Sequence, residues 1–310
     1  MSSGATRGDH GEVETAAAGR RPAFAGPRPR AGIKLVALDL DGVVYRGGMV
    51  LPGAREALED VVRRGLDLRY VSNNSTAHRE TVSERLTGMG LPAGADRVLT
   101  SGFVAGRWLR ARLPEDTPVM VMGEGGLLRE LREAGLAAYH VGGAAAPAPA
   151  AAVVVGMDRS LSFQMLAQAQ AAIRSGALFV ATNPDPTFPT PDGLVPGAGA
   201  LVAAVATAAE TEPVFMGKPG LALAEILATV TGVPSRETLF VGDRLSTDIA
   251  MGEDAGMITA LVLTGVTSEA DLERAREGGG SVLPDHVLAD LRELPDLLDS
   301  LSATIPTKAP

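Results

Sequence analysis

A short, mostly apolar run, Ile33 to Leu38, opens directly onto Asp39-Leu40-Asp41-Gly42, so that two carboxylates stand at the end of a segment made to be buried. A run of that length bounded by Gly32 and an acidic turn predicts a buried strand. The following residues constrain the fold further. Ala54, Ala57, Leu58, Val61 and Val62 recur at helical spacing over Ala54 to Arg64, and Gly65 ends the helix. Leu66 to Val71 then gives a second strand, in which Leu66, Leu68 and Tyr70 alternate with Asp67 and Arg69. That alternation predicts a strand at the flank of a sheet, with one face less buried. Ser72-Asn73-Asn74-Ser75 follows at once. A strand, helix, strand order with polar residues at both strand ends is the beginning of a parallel sheet, whose ligands lie beyond the carboxyl ends of its strands.

The same alternation continues. Strands are expected at Val119 to Met122, Ala152 to Val155, Leu178 to Ala181, Thr238 to Val241 and Ile258 to Leu263, the last completing the pattern, and helices at Leu127 to Glu133, Phe163 to Arg174 and Leu221 to Val230. Gly142 to Ala151 and Asn183 to Gly199 read as Pro- and Gly-rich loops, the second long enough to suggest a function. Pro219 suits the first turn of the helix that follows it. The expected class is α/β, a Rossmann-like parallel sheet, and the middle of the chain, which repeats the same alternation, is expected to have a small core of its own. Residues 1–31 read as a disordered tail.

Composition narrows the chemistry. Net charge is −9, which repels nucleic acid and anionic membrane, so any anionic ligand must be held by local donors or metal. There is no cysteine, hence no thiolate nucleophile and no Cys-based zinc site, and the cytoplasm is the expected compartment. Arg20, Arg21, Arg28 and Arg30 are interspersed with Ala, Gly and Pro, without the apolar core of a secretory signal. Ala144 to Val155, broken by Pro147 and Pro149, falls short of the ~20 residues that span a bilayer.

Four separated segments each place a polar group after a strand or before a helix, and together they supply what phosphoryl transfer needs: an in-line nucleophile, a proton donor, donors for the phosphoryl oxygens and a cation. Asp39 is the candidate nucleophile and Asp41 the acid and base. Asp39, Asp243 and the main-chain carbonyl of Asp41 offer hard oxygens to Mg²⁺, with Asp248 orienting its waters. Ser72 and the amides of Asn73 and Asn74 would donate to the phosphoryl group, and Lys218 would add positive charge. Singly, each segment has an ordinary reading: a tight turn, a helix cap, a solvated lysine. A calcium loop counted from Asp39 fails, because its twelfth position is Val50 rather than Glu. His10, His78, His140 and His286 share no metal-ligand spacing, and Trp108 reads as a packing residue.

In combination, Asp39-Leu40-Asp41-Gly42-Val43, Tyr70 to Thr76, Gly217-Lys218-Pro219 and Val241 to Asp248 resemble the motifs of the haloacid dehalogenase-like hydrolases. The likeness is to their 4-nitrophenylphosphatase and phosphoglycolate phosphatase-like branch, which includes glycerol 3-phosphate phosphatases, and covers about residues 33–300. It implies an aspartyl-phosphate on Asp39, Asp41 as acid and base, and Asp243 as a Mg²⁺ ligand. It also implies a Rossmann-like parallel-sheet core domain with an inserted large α/β cap domain between the second and third motifs, dividing the chain into a tail 1–31, core 32–114, cap 115–211, core 212–302 and a tail 303–310, with Phe188 against the substrate and a homodimer formed through the cap. The substrate would be a small phosphorylated metabolite: glycerol phosphate, phosphoglycolate, pyridoxal phosphate, a sugar phosphate or a nucleoside monophosphate. Two other outcomes stay open, a phosphomutase and a non-catalytic phosphometabolite sensor. A phosphoacceptor receiver module is too short to account for the chain.

Overall fold

The computed structural model describes residues 32–143, 149–190, 192–279 and 282–303. The expected tail 1–31, five residues of the 142–151 loop and residues 304–310 of the expected tail 303–310 lie outside the described residues, while Ala303 ends the helix Leu294–Ala303. Within them two parallel sheets carry the fold.

The first sheet has six strands in the spatial order His286–Leu288, Ile258–Val262, Thr238–Gly242, Leu35–Asp39, Asp67–Ser72 and Val98–Thr100, every pairing parallel. Leu35–Asp39 sits at its centre because both of its faces are apolar. Leu35 and Ala37 join one core cluster, and Val36 and Leu38 the other. Continuous apolar runs are what a parallel strand needs when helices cover both faces. On one face Leu58 and Val61 of helix Ala54–Arg63, Leu86 of helix Arg79–Gly88 and Leu297 of helix Leu294–Ala303 pack against Leu38, Leu68 and Val241.

The second sheet is five-stranded, in the order Val214–Phe215, Leu178–Ala181, Ala152–Val155, Pro118–Met122 and Ala137–His140, again all parallel. Its outer face is covered by helices Phe163–Arg174 and Ala198–Ala209 through Met165, Ile173, Val202 and Val205. Its inner face belongs to the same apolar cluster as the first sheet. Val121, Val154 and Val180 join Ala37, Val71 and Phe240 through Leu109, Leu131 and Leu223 of helices Ser101–Arg110, Gly125–Glu133 and Leu221–Thr231. The helices between the sheets approach closely at Gly106, where an added Cβ would lie 3.1 Å from the Glu130 carbonyl oxygen. The fold is therefore the expected α/β arrangement of a parallel-sheet core with an inserted α/β unit.

Several local expectations change. The strand Asp67–Ser72 is not at the margin, since Val98–Thr100 pairs along its outer side. Its alternation has another cause: Asp67 and Arg69 neutralise each other at 2.9 Å on the less covered face. Ile258–Val262 does not complete the sheet; His286–Leu288 does. Pro219 precedes the helix instead of opening it, because Gly220 is the cap and Leu221 the first helical residue. Asn183 to Gly199 is not all loop: Thr187–Thr190 and Gly193–Pro196 form an antiparallel hairpin, and helix Ala198–Ala209 starts within the range. His78 is buried and caps helix Arg79–Gly88, its Nδ1 accepting from the Glu80 amide at 3.3 Å. Trp108 packs in the shared cluster, as expected. Among the described residues no helix is long and apolar enough to cross a membrane.

Candidate active site

Asp39 ends the central strand, Ser72 ends its neighbour, and Asp243 follows Thr238–Gly242 on the other side. Three adjacent parallel strands thus deliver their polar ends to one crevice, the position in which open α/β sheets bind ligands. The crevice has a volume of ≈ 460 Å³ and is lined by every residue that the sequence singled out: Asp39, Asp41, Ser72, Asn73, Asn74, Phe188, Lys218, Asp243 and Asp248. Phe188 comes from the hairpin of the second unit, with the Arg159 guanidinium 5.8 Å from its ring centroid.

Lys218 is buried at the centre. Its Nζ donates to Asp39 Oδ1 at 2.5 Å and lies 2.7 Å from Asp248 Oδ1. That Asp248 oxygen is buried without an aligned hydrogen bond, while its Oδ2 accepts from the Arg244 amide at 3.0 Å. Asp39, Asp243 and Asp248 each offer an oxygen within 4.8 Å of the others. Three carboxylates against one ammonium leave a deficit of positive charge in a desolvated place. The titration of the groups reflects it. Burial pushes Asp39 up to about 7 against the pull of Lys218, with Asp248 and Asp243 adding to the rise. Asp243 rises to about 6, through burial and then Asp248. For Lys218, burial alone would lower the pKa, but Asp248 and Asp39 more than offset it and hold the ammonium charged.

The Asp243 carboxylate is seated by two glycines. Its Oδ2 accepts from the Val266 amide at 2.7 Å. A Cβ on Gly265 would fall 1.8 Å from that oxygen, and one on Gly42 would fall 2.4 Å from it. Gly42 also has φ +85°, in the left-handed region where a side chain is strained. Three carboxylates that share one ammonium, with a buried Asp248 oxygen that has no aligned hydrogen bond, fit a small divalent cation bound through oxygen ligands.

Asn73 is tied to the lysine loop. Its Oδ1 accepts from the Lys218 amide at 2.8 Å, and its Nδ2 donates to the Lys218 carbonyl and to Asp185 Oδ2, both at 3.0 Å. Asn183 Nδ2 donates to the Asn73 carbonyl at 2.7 Å, and Arg244 reaches Asp185 Oδ1 at 3.4 Å. The Asn74 amide donates to Ser72 Oγ at 3.2 Å. Asp41 is exposed at the crevice, its pKa raised by desolvation against Arg85 and Arg46.

Sequence reading did not single out Asn183 and Asp185 as site residues, nor Arg46, Arg85, Arg244, Gly265 and Val266. For Gly265 and Val266 a signal existed, because they follow the strand Ile258–Val262 and so stand at a carboxyl end of the same sheet.

A haloacid dehalogenase-like hydrolase family model matches residues 36–137, and a HAD-hydrolase-like model matches 215–294. The glycerol-3-phosphate phosphatase of Gallus gallus is 36% identical over 285 residues, 85% of this chain and 91% of that protein. The p-nitrophenyl phosphatase from Archaeoglobus fulgidus superposes with a TM-score of 0.78 at 32% identity, covering 87% of this chain and 100% of that one. The glycerol phosphate phosphatase of Mycobacterium tuberculosis, in complex with magnesium, superposes with a TM-score of 0.74 at 34% identity, covering 84% and 76%.

Proposed function

Because the chain belongs to the haloacid dehalogenase-like hydrolase family and is a phosphoric monoester hydrolase, we propose that it hydrolyses small phosphate monoesters in two steps, through a phosphoryl group carried on Asp39. The observation that carries this reading is the convergence of Asp39, Asp243 and Asp248 at the carboxyl ends of adjacent strands, with the buried ammonium of Lys218 against Asp39 and Asp248.

In the first step an Asp39 carboxylate oxygen bonds to phosphorus, the ester P–O bond breaks, and Asp41 gives its proton to the leaving oxygen. In the second, water attacks the phosphorus, Asp41 takes a proton from that water, and inorganic phosphate leaves with Asp39 restored. The raised pKa of Asp41 and its exposed position suit a group that must hold and exchange a proton. Ser72 and the amides of Asn73 and Asn74 would hold the phosphoryl oxygens, the Asn74 amide exchanging Ser72 Oγ for one of them. Asn73, through its carboxamide, keeps Lys218 in place. Asp39, Asp243 and the Asp41 carbonyl would hold Mg²⁺, with Asp248 orienting its waters, and the bound ion would neutralise phosphoryl charge. Residues 115–211 act in this reading as the cap, with the hairpin carrying Phe188 against the leaving group.

The test is Mg²⁺-dependent phosphate release from a panel of phosphate monoesters, with Asp39→Asn in parallel. Turnover in the wild type that vanishes in the variant is expected. Folded, metal-loaded protein that releases phosphate from no ester refutes the reading.

A further inference from the structure

Two guanidiniums stand in the crevice that this chemistry does not use. Arg46 ends the short strand Tyr45–Arg46, and Arg85 belongs to helix Arg79–Gly88. Both are exposed, and both line the cavity that holds Asp39 and Asp41. Each is tethered by a neutral partner. Arg46 donates to the Thr264 carbonyl. Arg85 donates to the hydroxyl of buried Tyr45, and its guanidinium lies 4.6 Å from the centroid of that ring. Among the described residues neither guanidinium is ion-paired. The other cations of the cavity are compensated, Lys218 by Asp39 and Asp248, and Arg244 by Asp185. Asp41 lines the same cavity, and its main chain bridges to Tyr45, whose hydroxyl holds Arg85 and whose next residue is Arg46. The Asp41 side of the crevice therefore carries an excess of positive charge, in a chain whose net charge is −9.

We propose that Arg46 and Arg85 form an anion subsite for the leaving group, which selects phosphate monoesters whose alcohol also bears a carboxylate. This rests on the reading of Asp41 as proton donor to the leaving oxygen, for the carbons next to that oxygen must then lie beside Asp41 and its two arginines. A guanidinium has five N–H donors in a planar fork matched to a carboxylate, and the tethers that hold Arg46 and Arg85 leave most of them available. Both tethers also hold the side chains ready, which reduces the ordering cost of binding. An uncharged hydroxyl in the same place accepts from a guanidinium without the ion pairing and the two-oxygen fit that a carboxylate adds.

The experiment compares two three-carbon esters, glycerol 3-phosphate and 3-phosphoglycerate, which differ in a carboxylate where the first has a hydroxymethyl group. The quantity read is kcat/KM for each, in wild type, Arg46→Gln, Arg46→Lys and Arg85→Gln. Expected is a wild-type preference for the carboxylate ester that falls at least tenfold in Arg46→Gln and in Arg85→Gln, with partial retention in Arg46→Lys. Arg85→Gln also releases Tyr45 and carries a risk of misfolding; Arg46, tethered to a main-chain carbonyl, keeps the test independent of it. Equal falls for both esters, or a wild-type preference for glycerol 3-phosphate, overturn the subsite. If neither these esters nor 4-nitrophenyl phosphate is turned over, the hydrolase reading is what fails. Calorimetric binding of the same two esters to wild type and Arg46→Gln then decides the subsite, and equal affinities in both proteins overturn it.

Discussion

Replacing Lys218 with Met removes the ammonium held between Asp39 and Asp248, and its effect can be worked from two distances. The ammonium lies 2.5 Å from Asp39 Oδ1 and 2.7 Å from Asp248 Oδ1. At an effective dielectric constant of ~20, each attraction is about 6–7 kcal/mol, most of it offset by the cost of taking the charges out of water. Deleting one partner of such a cluster leaves the desolvation cost without the attraction, which costs about 3–5 kcal/mol. For a chain of this size that corresponds to a fall in melting temperature of about 6–20 °C. The assay is urea and thermal unfolding of wild type, Lys218→Met, Asp39→Asn and the double variant, each in chelator and in Mg²⁺. The loss should be largest in chelator and smaller with Mg²⁺, which restores positive charge beside the carboxylates. It should also shrink in the Asp39→Asn background, where one of the two stranded charges is gone. A Lys218→Met protein within about 1 kcal/mol of wild type in chelator, or an identical loss in both backgrounds, would refute the account of the site as an over-charged acidic cluster.

Gly265→Ala would put a methyl group 1.8 Å from Asp243 Oδ2, so the carboxylate must move; Mg²⁺ affinity measured by calorimetry should fall at least tenfold, and an unchanged Kd would disprove the packing argument. Glu130, buried, accepts from the Arg79 amide at 2.9 Å and from its guanidinium at 2.7 Å, joining helix Arg79–Gly88 to helix Gly125–Glu133. Glu130→Gln should cost about 2 kcal/mol in urea unfolding, and a loss below about 0.5 kcal/mol would show that the pair is dispensable. In Asp158, burial raises the pKa, but hydrogen bonds from Ser160 at 2.6 and 2.9 Å and the contact with His140 outweigh it and hold the carboxyl below its ordinary range. A group with a depressed folded pKa contributes stability above its unfolded pKa of about 3.9 and loses it as pH falls below. Asp158→Asn should therefore cost about 2 kcal/mol near pH 7 and progressively less below about pH 4, whereas a pH-independent difference would show that the charge plays no part.

Much of the site was legible before folding because its parts are local. Asp39 and Asp243 each follow an apolar run and Ser72 follows an alternating one, and either pattern ending in a polar turn is visible within about ten residues. The hairpin Thr187–Pro196 was not legible, since its described side chains are exposed or half-buried and leave no alternating burial in the sequence. The three-residue strands Val98–Thr100 and His286–Leu288 are too short to show a period, and they are strands because a neighbouring strand pairs with them. Val98–Thr100 thereby places Asp67–Ser72 inside the sheet.

The order of chemical groups along the chain, the class of fold and the residues able to carry phosphoryl transfer were determined by the sequence alone, because residue type and local periodicity set which segments are buried and which end in polar groups. Only the tertiary structure decided what those groups do to each other. Lys218 is 179 residues from Asp39, Asp185 is 59 from Arg244, and Thr264 is 218 from Arg46, yet each pair is joined by a hydrogen bond. Desolvation, the balance of charge and the close approach of Gly42 and Gly265 to Asp243 exist only once distant segments are packed together, because each depends on distances in space that separation along the chain does not encode.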